Sequence, residues 1–465
     1  MEKKIPHRFA GSESGHPEDA PKGRAREGAH QGPRIYNLFP LLVGSVPDWG
    51  QRLPEIAAMK FNWVFLNPFH APGFSGSLYA IKDYYQLHPL FQGDHQEPPE
   101  QLLKKFVRQA EKQGLGVMMD LVINHTAKDS PLVSQHPEWY LHGEDGSVRS
   151  PFVVDPDDPQ NVTVWGDLAE IDYRQRPARK SLLAYWKKLV RHYTQLGFHG
   201  FRCDAAYKVP GDVWAELIET AQELNPKVHF FAETLGAPLH QIEQLHSAGF
   251  DYFFNSAKWW DFHADWLLEQ YEQFRHIAPS IAFPESHDTE RLAAEWGGEE
   301  RRSRTWYLFA AFFSAGVMLP IGYEYGFQRK LHVVETRPED WEEPLFDLAS
   351  FVTAANAMKA NTPVLNEEGP QRRFTSSGHP LVGLLRQSEH TGESAVGLIN
   401  TDTEHSHDFG LDRLGEAMGV DIDAIQEITP LHQADSLAGH QRIRVAPYSM
   451  RIFHTPGKKK PKRSS

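Results

Sequence analysis

A chain of 465 residues with a single cysteine, Cys203, can close no disulfide within itself, so a secreted framework of crosslinks is excluded. Long apolar runs are missing too. No stretch reaches the roughly 20 residues of a membrane-spanning helix, and the opening segment MEKKIPHRFAGSESGHPEDA holds no apolar run of signal-peptide length. A soluble, cytoplasmic protein is expected. Positive charge is also short: 48 Lys and Arg stand against 61 Asp and Glu, a formal net charge of −13, with no basic face in the folded part. A nucleic-acid binder is not expected, because phosphate binding needs such a face. Aromatics, by contrast, are plentiful: 28 Phe, 15 Tyr and 12 Trp can fill a core and also stack on sugar rings. A neutral or weakly polar substrate fits this balance.

Residues 1–33 are rich in Gly, Pro, His, Glu and Arg without periodicity, and the basic tail 457–465 is similar, so both ends are expected to be disordered. Between them, eight short apolar runs alternate with amphipathic stretches. The runs are RIYNLFP (34–40), NWVFLN (62–67), GVMMDLVIN (116–124), HGFRCD (199–204), VHFFAE (228–233), FDYFFN (250–255), SIAFPES (280–286) and GVMLPIG (316–322). Helical spacing places Leu102, Leu103, Phe106, Val107 and Ala110 on one face before Gly114, and Leu182, Leu183, Trp186, Leu189, Val190 and Tyr193 on another before Gly197. Eight strand–helix units predict a closed parallel (β/α)8 barrel over 34–365. About 50 residues separate the third strand from its helix near Arg179, too many for a simple loop. A subdomain inserted at about 126–175 is expected there. Past residue 370 short strands return, predicting a C-terminal antiparallel β domain, a sandwich over 370–456.

In such barrels the reactive groups sit at the C-terminal strand ends. Arg202 and Asp204 lie two apart at the end of the fourth run, so strand alternation aims both to one side and the cation favours the ionised acid. The third run ends in Asp120 with Asn124 and His125 beyond it, the fifth in Glu233, and the seventh leads into ESHDTER with His287 and Asp288. Carboxylates from separate strands thus converge on one mouth. Two carboxyl groups flanking a glycosidic bond suffice for retaining glycoside chemistry, one as nucleophile and one as acid/base. Their environments must differ: Arg202 keeps Asp204 ionised, while crowding among carboxylates in a partly apolar pocket keeps Glu233 protonated. His125 and His287 are candidate donors to substrate hydroxyls.

DLVINH, GFRCDAA, FAET and ESHD, in this order and spacing, resemble the four short motifs of the α-amylase superfamily, glycoside hydrolase family thirteen. The resemblance implies that Asp204 is the nucleophile, Glu233 the general acid/base and Asp288 the transition-state stabiliser, with Asp120, His125, Arg202 and His287 in supporting positions on the substrate. LYAIKDYY resembles the segment whose tyrosine, here Tyr79, stacks under the sugar at the cleaved bond, with Asp83 as its companion. WGDLAEIDY (165–173) resembles the motif near the end of the inserted subdomain. In many relatives the residue matching Asn124 binds calcium, but the several oxygen ligands this needs are not identifiable, so no metal or other cofactor is expected.

Classical endo-amylases often carry Lys-His after the nucleophile, whereas here DAAYKVP sets Tyr207 and Lys208 in shifted positions. Lys208 is a candidate contact to leaving-group hydroxyls. HPEWY, KVP and GYEYGFQ resemble the cytoplasmic maltosyltransferases of the superfamily, including those using maltose 1-phosphate, from which ESHD departs. The implied activity is cleavage or transfer of α-1,4-linked glucosyl or maltosyl units of an α-glucan or maltooligosaccharide through a covalent intermediate. Alternatives are transfer from maltose 1-phosphate, a non-catalytic carbohydrate-binding barrel, and a metal-dependent hydrolase built on Asp120, His125 and His287. Cys203 faces away from the site by alternation, and Trp259 and Trp260 are either a sugar platform or a cap on the barrel.

Overall fold

A computed structural model describes residues 31–154, 158, 160–174, 176–432 and 441–457. Of the expected tails, 1–33 and 457–465, residues 1–30 and 458–465 lie outside the described residues. All eight apolar runs form strands: β1 (Arg34–Leu38), β2 (Trp63–Leu66), β3 (Gly116–Leu121), β4 (Gly200–Cys203), β5 (His229–Glu233), β6 (Tyr252–Phe254), β7 (Ser280–Ala282) and β8 (Gly316–Pro320). They pair in parallel in chain order, and the sheet closes where β1 meets β8, with Arg34 opposite Val317. The fold is thus the expected (β/α)8 barrel.

Strand alternation sorts the interior into layers. Ile35, Phe65, Met118, Phe231, Phe254, Ile281 and Met318 form an apolar plug in the barrel, joined by Phe283. β4 adds only Gly200 at this level; a Cβ there would lie 3.0 Å from the Phe231 ring and 3.2 Å from Trp63, so a larger residue would push them apart. Two residues further along β1 to β5 the same face turns polar, with Asn37, Asn67, Asp120, Arg202 and Glu233. The site therefore rests on a dry floor. The opposite strand faces, including Phe201, Cys203, Phe230 and Ala232, pack against the surrounding helices, which makes Cys203 a buried core thiol.

The helix Pro99–Lys112 buries Leu102, Leu103, Phe106, Val107 and Ala110, the face that periodicity marks. The helix Pro177–Leu196 ends on Gly197 in the left-handed region (φ 103°), whose N–H caps Tyr193 and Thr194 carbonyls; Leu183 is only half-buried. Between β3 and this helix lie two small antiparallel pairs, His125–Ala127 with Leu168–Glu170 and Phe152–Val154 with Val162–Val164.

After the barrel, a five-stranded sheet contains Gln371–Arg373, Leu381–Gln387, Ser394–Asn400, Gln426–Glu427 and Ser449–Thr455, with all its pairings antiparallel. Its central strand is buried on both faces. Ala395 and Ile399 join the barrel core, while Val396 and Leu398 face a second core closed by the helix Leu411–Met418 and the strand pair His407–Gly410 and Arg442–Val445. At Gly397 a Cβ would meet the Met450 side chain of the neighbouring strand at 2.4 Å, so glycine leaves room for Met450 beside Phe312 of the helix Glu300–Phe313. Arg386 crosses this junction fully buried, donating to the carbonyls of Phe312 (2.7 Å), Phe313 (2.5 Å), Val364 (2.9 Å) and Glu367. Helix-end carbonyls that have no partner within the helix are satisfied by a residue from the other layer.

Candidate active site

At the mouth, one guanidinium organises the acids. Arg202 Nη1 donates to Asp120 Oδ1 and Oδ2 at 3.0 and 2.9 Å and to Asp204 Oδ1 at 2.8 Å, while Nη2 lies 3.9 Å from Glu233 Oε2. Beneath it the Phe65 ring centroid is 5.8 Å from the guanidinium carbon. The two strand-end acids thus share a cation but differ in surroundings. Asp204 has its charge matched directly by that ion pair. Glu233 has only the longer 3.9 Å approach of Arg202; burial pushes its carboxyl up to about 7, aided by the charges of Asp204 and Asp288 and opposed by Arg202. Its oxygens accept from Ala205 N–H (2.9 Å) and Leu235 N–H (2.5 Å). Ala205 can reach it because the chain turns sharply after Asp204, with Ala205 at φ 40° in the left-handed region.

Tyr79 ties this group to the histidine side of the mouth. Its hydroxyl lies 2.7 Å from Asp120 Oδ2, 2.7 Å from His287 Nε2 and 3.1 Å from Asn67 Nδ2. A hydroxyl has one proton to give, and the carboxylate can only accept it, so Asn67 and His287 donate to the oxygen. The Tyr79 and His287 rings are nearly parallel, 7° apart with centroids 5.6 Å apart. His287 Nε2 also lies 3.2 Å from Asp288 Oδ2. The Asp288 side chain is 49% exposed against 11% for Glu233, so Asp288 stands at the open rim and Glu233 deep in the wall. His125 is buried, which lowers its pKa although Asp204 nearby acts to raise it, and its Nε2–H donates to the Tyr79 carbonyl at 3.1 Å. Lys208 is exposed, its ammonium 5.5 Å from the centroid of the Tyr207 ring.

One expected contact is not assembled. Asp83 sits in the strand Ile81–Leu87, accepts the Tyr85 N–H at 2.8 Å, and its charge bears on Tyr85, Tyr185 and Tyr193 beside the outer helix Pro177–Leu196. Tyr79 precedes that strand, so the two residues do not share its alternation, and Asp83 faces the outer layer. Several members escape the motifs. Asn67 and Asn37, 2.8 Å apart, continue the polar layer inward from Tyr79; Asn67 lies two residues beyond Phe65, and alternation alone marks it. Tyr207 is half-buried beside the charges of Glu233 and Asp204, which with burial raise its pKa. Of the adjacent tryptophans, Trp259 packs on Phe283 at the top of the barrel plug, while Trp260 is buried against Phe309 with its ring 5.8 Å from Arg373. Trp260 thus seals the junction with the C-terminal sheet.

Calcium is a poor fit at Asn124. Its buried Oδ1 has no hydrogen-bond partner among the described residues, but one neutral oxygen does not hold a dication. The neighbouring Asp172 is already neutralised by Arg174 (2.7 Å) and Arg176 (3.3 Å), and no group of three or more His, Cys, Asp or Glu gathers as a ligand set among the described residues.

The closed barrel thus brings four acids, Asp120, Asp204, Glu233 and Asp288, to its mouth together with Arg202, His125 and His287. Residues 32–145 match the family model for the glucanotransferase domain of glycogen debranching enzyme. An alpha-1,4-glucan:maltose-1-phosphate maltosyltransferase of Burkholderia pseudomallei is 27% identical over 395 residues, 80% of this chain and 33% of that protein. The chain therefore spans a third of that relative's length. Among solved structures, the maltogenic alpha-amylase AmyB of Thermotoga neapolitana superposes with a TM-score of 0.69 at 21% identity, covering 92% of this chain and 97% of that one. The alpha-glucosyl transfer enzyme XgtA superposes with a TM-score of 0.71 at 15% identity, covering 92% and 100%. The chain is thus similar in sequence to maltosyltransferases and shares its fold with alpha-amylases.

Proposed function

We propose that this chain is a retaining α-glucan-active enzyme that cleaves or transfers α-1,4-linked glucosyl or maltosyl units. The observation that carries this reading is the split between two acids around one guanidinium, with Asp204 ion-paired at 2.8 Å and Glu233 pushed to about 7. Asp204 attacks the anomeric carbon as the glycosidic bond breaks, and the Glu233 proton passes to the departing oxygen. The covalent β-glycosyl ester then yields when water or a sugar hydroxyl, deprotonated by Glu233, attacks the same carbon and releases Asp204. Asp288 and Arg202 supply opposite charges around the oxocarbenium-like state, and Tyr79, His125, His287 and Lys208 line the sugar. Asp83, which accepts the Tyr85 N–H, is not part of the set proposed here.

Two observations favour transfer, including transfer from maltose 1-phosphate, as the more specific version: the name of the Burkholderia pseudomallei relative and Tyr207 beside the charge of Glu233 with Lys208 against its ring. A cytoplasmic glucan store as substrate accords with a single, buried cysteine. No helix among the described residues is long and apolar enough to cross a membrane. The test is incubation with maltohexaose, with and without inorganic phosphate, followed by chain-length analysis and proton NMR. Retention requires α-configured first product. Chains that lengthen and shorten by two glucose units mark maltosyl transfer, and chains that only shorten mark hydrolysis. A β-anomer formed first overturns the role of Asp204.

A further inference from the structure

The loop that carries His287 and Asp288 is closed beneath the surface by a charge pair that touches none of the site's acids. Glu285 and Arg291 have side chains 1% exposed, with Nη1 2.8 Å from Oε1. The second carboxylate oxygen accepts the Leu292 N–H at 2.6 Å, and the guanidinium also donates to the carbonyls of Ile321 (2.8 Å) and Arg329 (3.1 Å). Ile321 immediately follows β8 and donates its own N–H to the Asn37 carbonyl of β1, so the pair anchors the loop to the barrel rim on the side away from β6. From the β6 side Lys258, itself buried, reaches Glu295 at 2.6 Å just beyond the clamp. Inside the clamp, Thr289 Oγ1 accepts the Ser286 N–H (3.0 Å) and Ser286 Oγ accepts the Asp288 N–H (3.2 Å). Between Glu285 and Arg291 only Asp288 and Glu290 are exposed.

A buried ion pair roughly breaks even against an apolar pair of similar volume, so net stability is a weak reason for one here. What charge and a planar fork add is direction, because three guanidinium nitrogens and both carboxylate oxygens are engaged and fix both ends of the loop at once. We propose that Glu285 and Arg291 are positioning residues that set Asp288 and His287 against the reacting sugar. This rests on the retaining reading above. Neither residue contacts substrate; both act through the loop.

The test combines Arg291→Lys, which keeps the charge but loses the fork, with Asp288→Asn, in a double-mutant cycle on α-maltosyl fluoride with thermal unfolding alongside. Arg291→Lys is expected to lower kcat roughly 10²-fold with KM changed less than about threefold, since a misplacement near 1 Å has that effect. In the Asp288→Asn background the same change is expected to cost less than about threefold, because its route of action is already gone. Full additivity, or a raised KM with kcat kept, overturns the positioning role. If Asp288→Asn alone retains wild-type kcat, the catalytic reading of Asp288 fails and the proposal with it. Should Arg291→Lys not fold, Glu285→Gln, nearly isosteric, is carried through the same cycle with the same outcomes deciding.

Discussion

Arg202 and Asp204, neighbours on one face of the fourth barrel strand, meet at 2.8 Å, and the same Arg202 nitrogen holds Asp120 from the strand beside it. One guanidinium nitrogen thus joins acids from two adjacent strands. Removing the charge of Asp204 by Asp204→Asn should abolish turnover and ester formation while leaving a folded protein. Residual activity above about a hundredth of wild type, a loss smaller than general acid–base effects of roughly 10², would show that Asp204 is not the nucleophile.

Glu233 must carry its proton to act as acid, and its carboxyl is placed at about 7. The kcat/KM of the wild type should therefore fall above about pH 7, reporting the free enzyme. Glu233→Ala should lose that limb, react best with a glycosyl fluoride, whose leaving group needs little protonation, and respond to azide. Equal losses on fluoride and oligosaccharide would remove Glu233 from the acid role.

The same shift has a stability consequence. A carboxyl raised in the folded state from 4.5 to about 7 contributes stability that is full below the unfolded value and is lost as pH rises through about 7, a loss on the order of 3 kcal/mol. Glu233→Gln lacks this titration. Urea unfolding at pH 4.5 and pH 8 should show the variant gaining on wild type with rising pH, and parallel pH curves would refute the shift.

Tyr79→Phe deletes a hydroxyl that receives Asn67 and His287 and gives to Asp120. Three buried partners then lose a bond. We expect a stability loss of about 1–3 kcal/mol and a fall in kcat of at least roughly tenfold, from the freed His287 ring. A variant with unchanged Tm and kcat would mean that water replaces the hydroxyl.

At the far side of the barrel, Arg386→Met leaves helix-end carbonyls of Phe312 and Phe313 without their donor. Stability should drop by about 2–4 kcal/mol with KM for maltohexaose unchanged, because the junction lies away from the mouth. An altered KM would mean that the C-terminal sheet takes part in substrate binding.

The sequence by itself determined the barrel and most of its polar rim, because both depend on a period of two. An apolar run that ends on the right parity carries Arg202, Asp120 and Glu233 to one face whatever surrounds it. Helix faces were equally legible for Leu102 through Ala110, where one side is core and the other water. Irregular backbone escapes such rules. Asp83 stands in a strand of the excursion after β2 rather than in the barrel, so its motif neighbourhood with Tyr79 did not mean a shared pocket. Whether Trp259 or Trp260 faced the mouth turned on a one-turn helix, Ala257–Trp259, that no periodicity announces. The tertiary structure alone decided that the Arg202 nitrogen also holds Asp120 and that Tyr79 joins Asp120 to His287, since these partners come from segments distant in sequence. It also decided that Glu285 and Arg291, six residues apart, close the loop around Asp288, because a charge pair declares its partner only when both side chains are buried together.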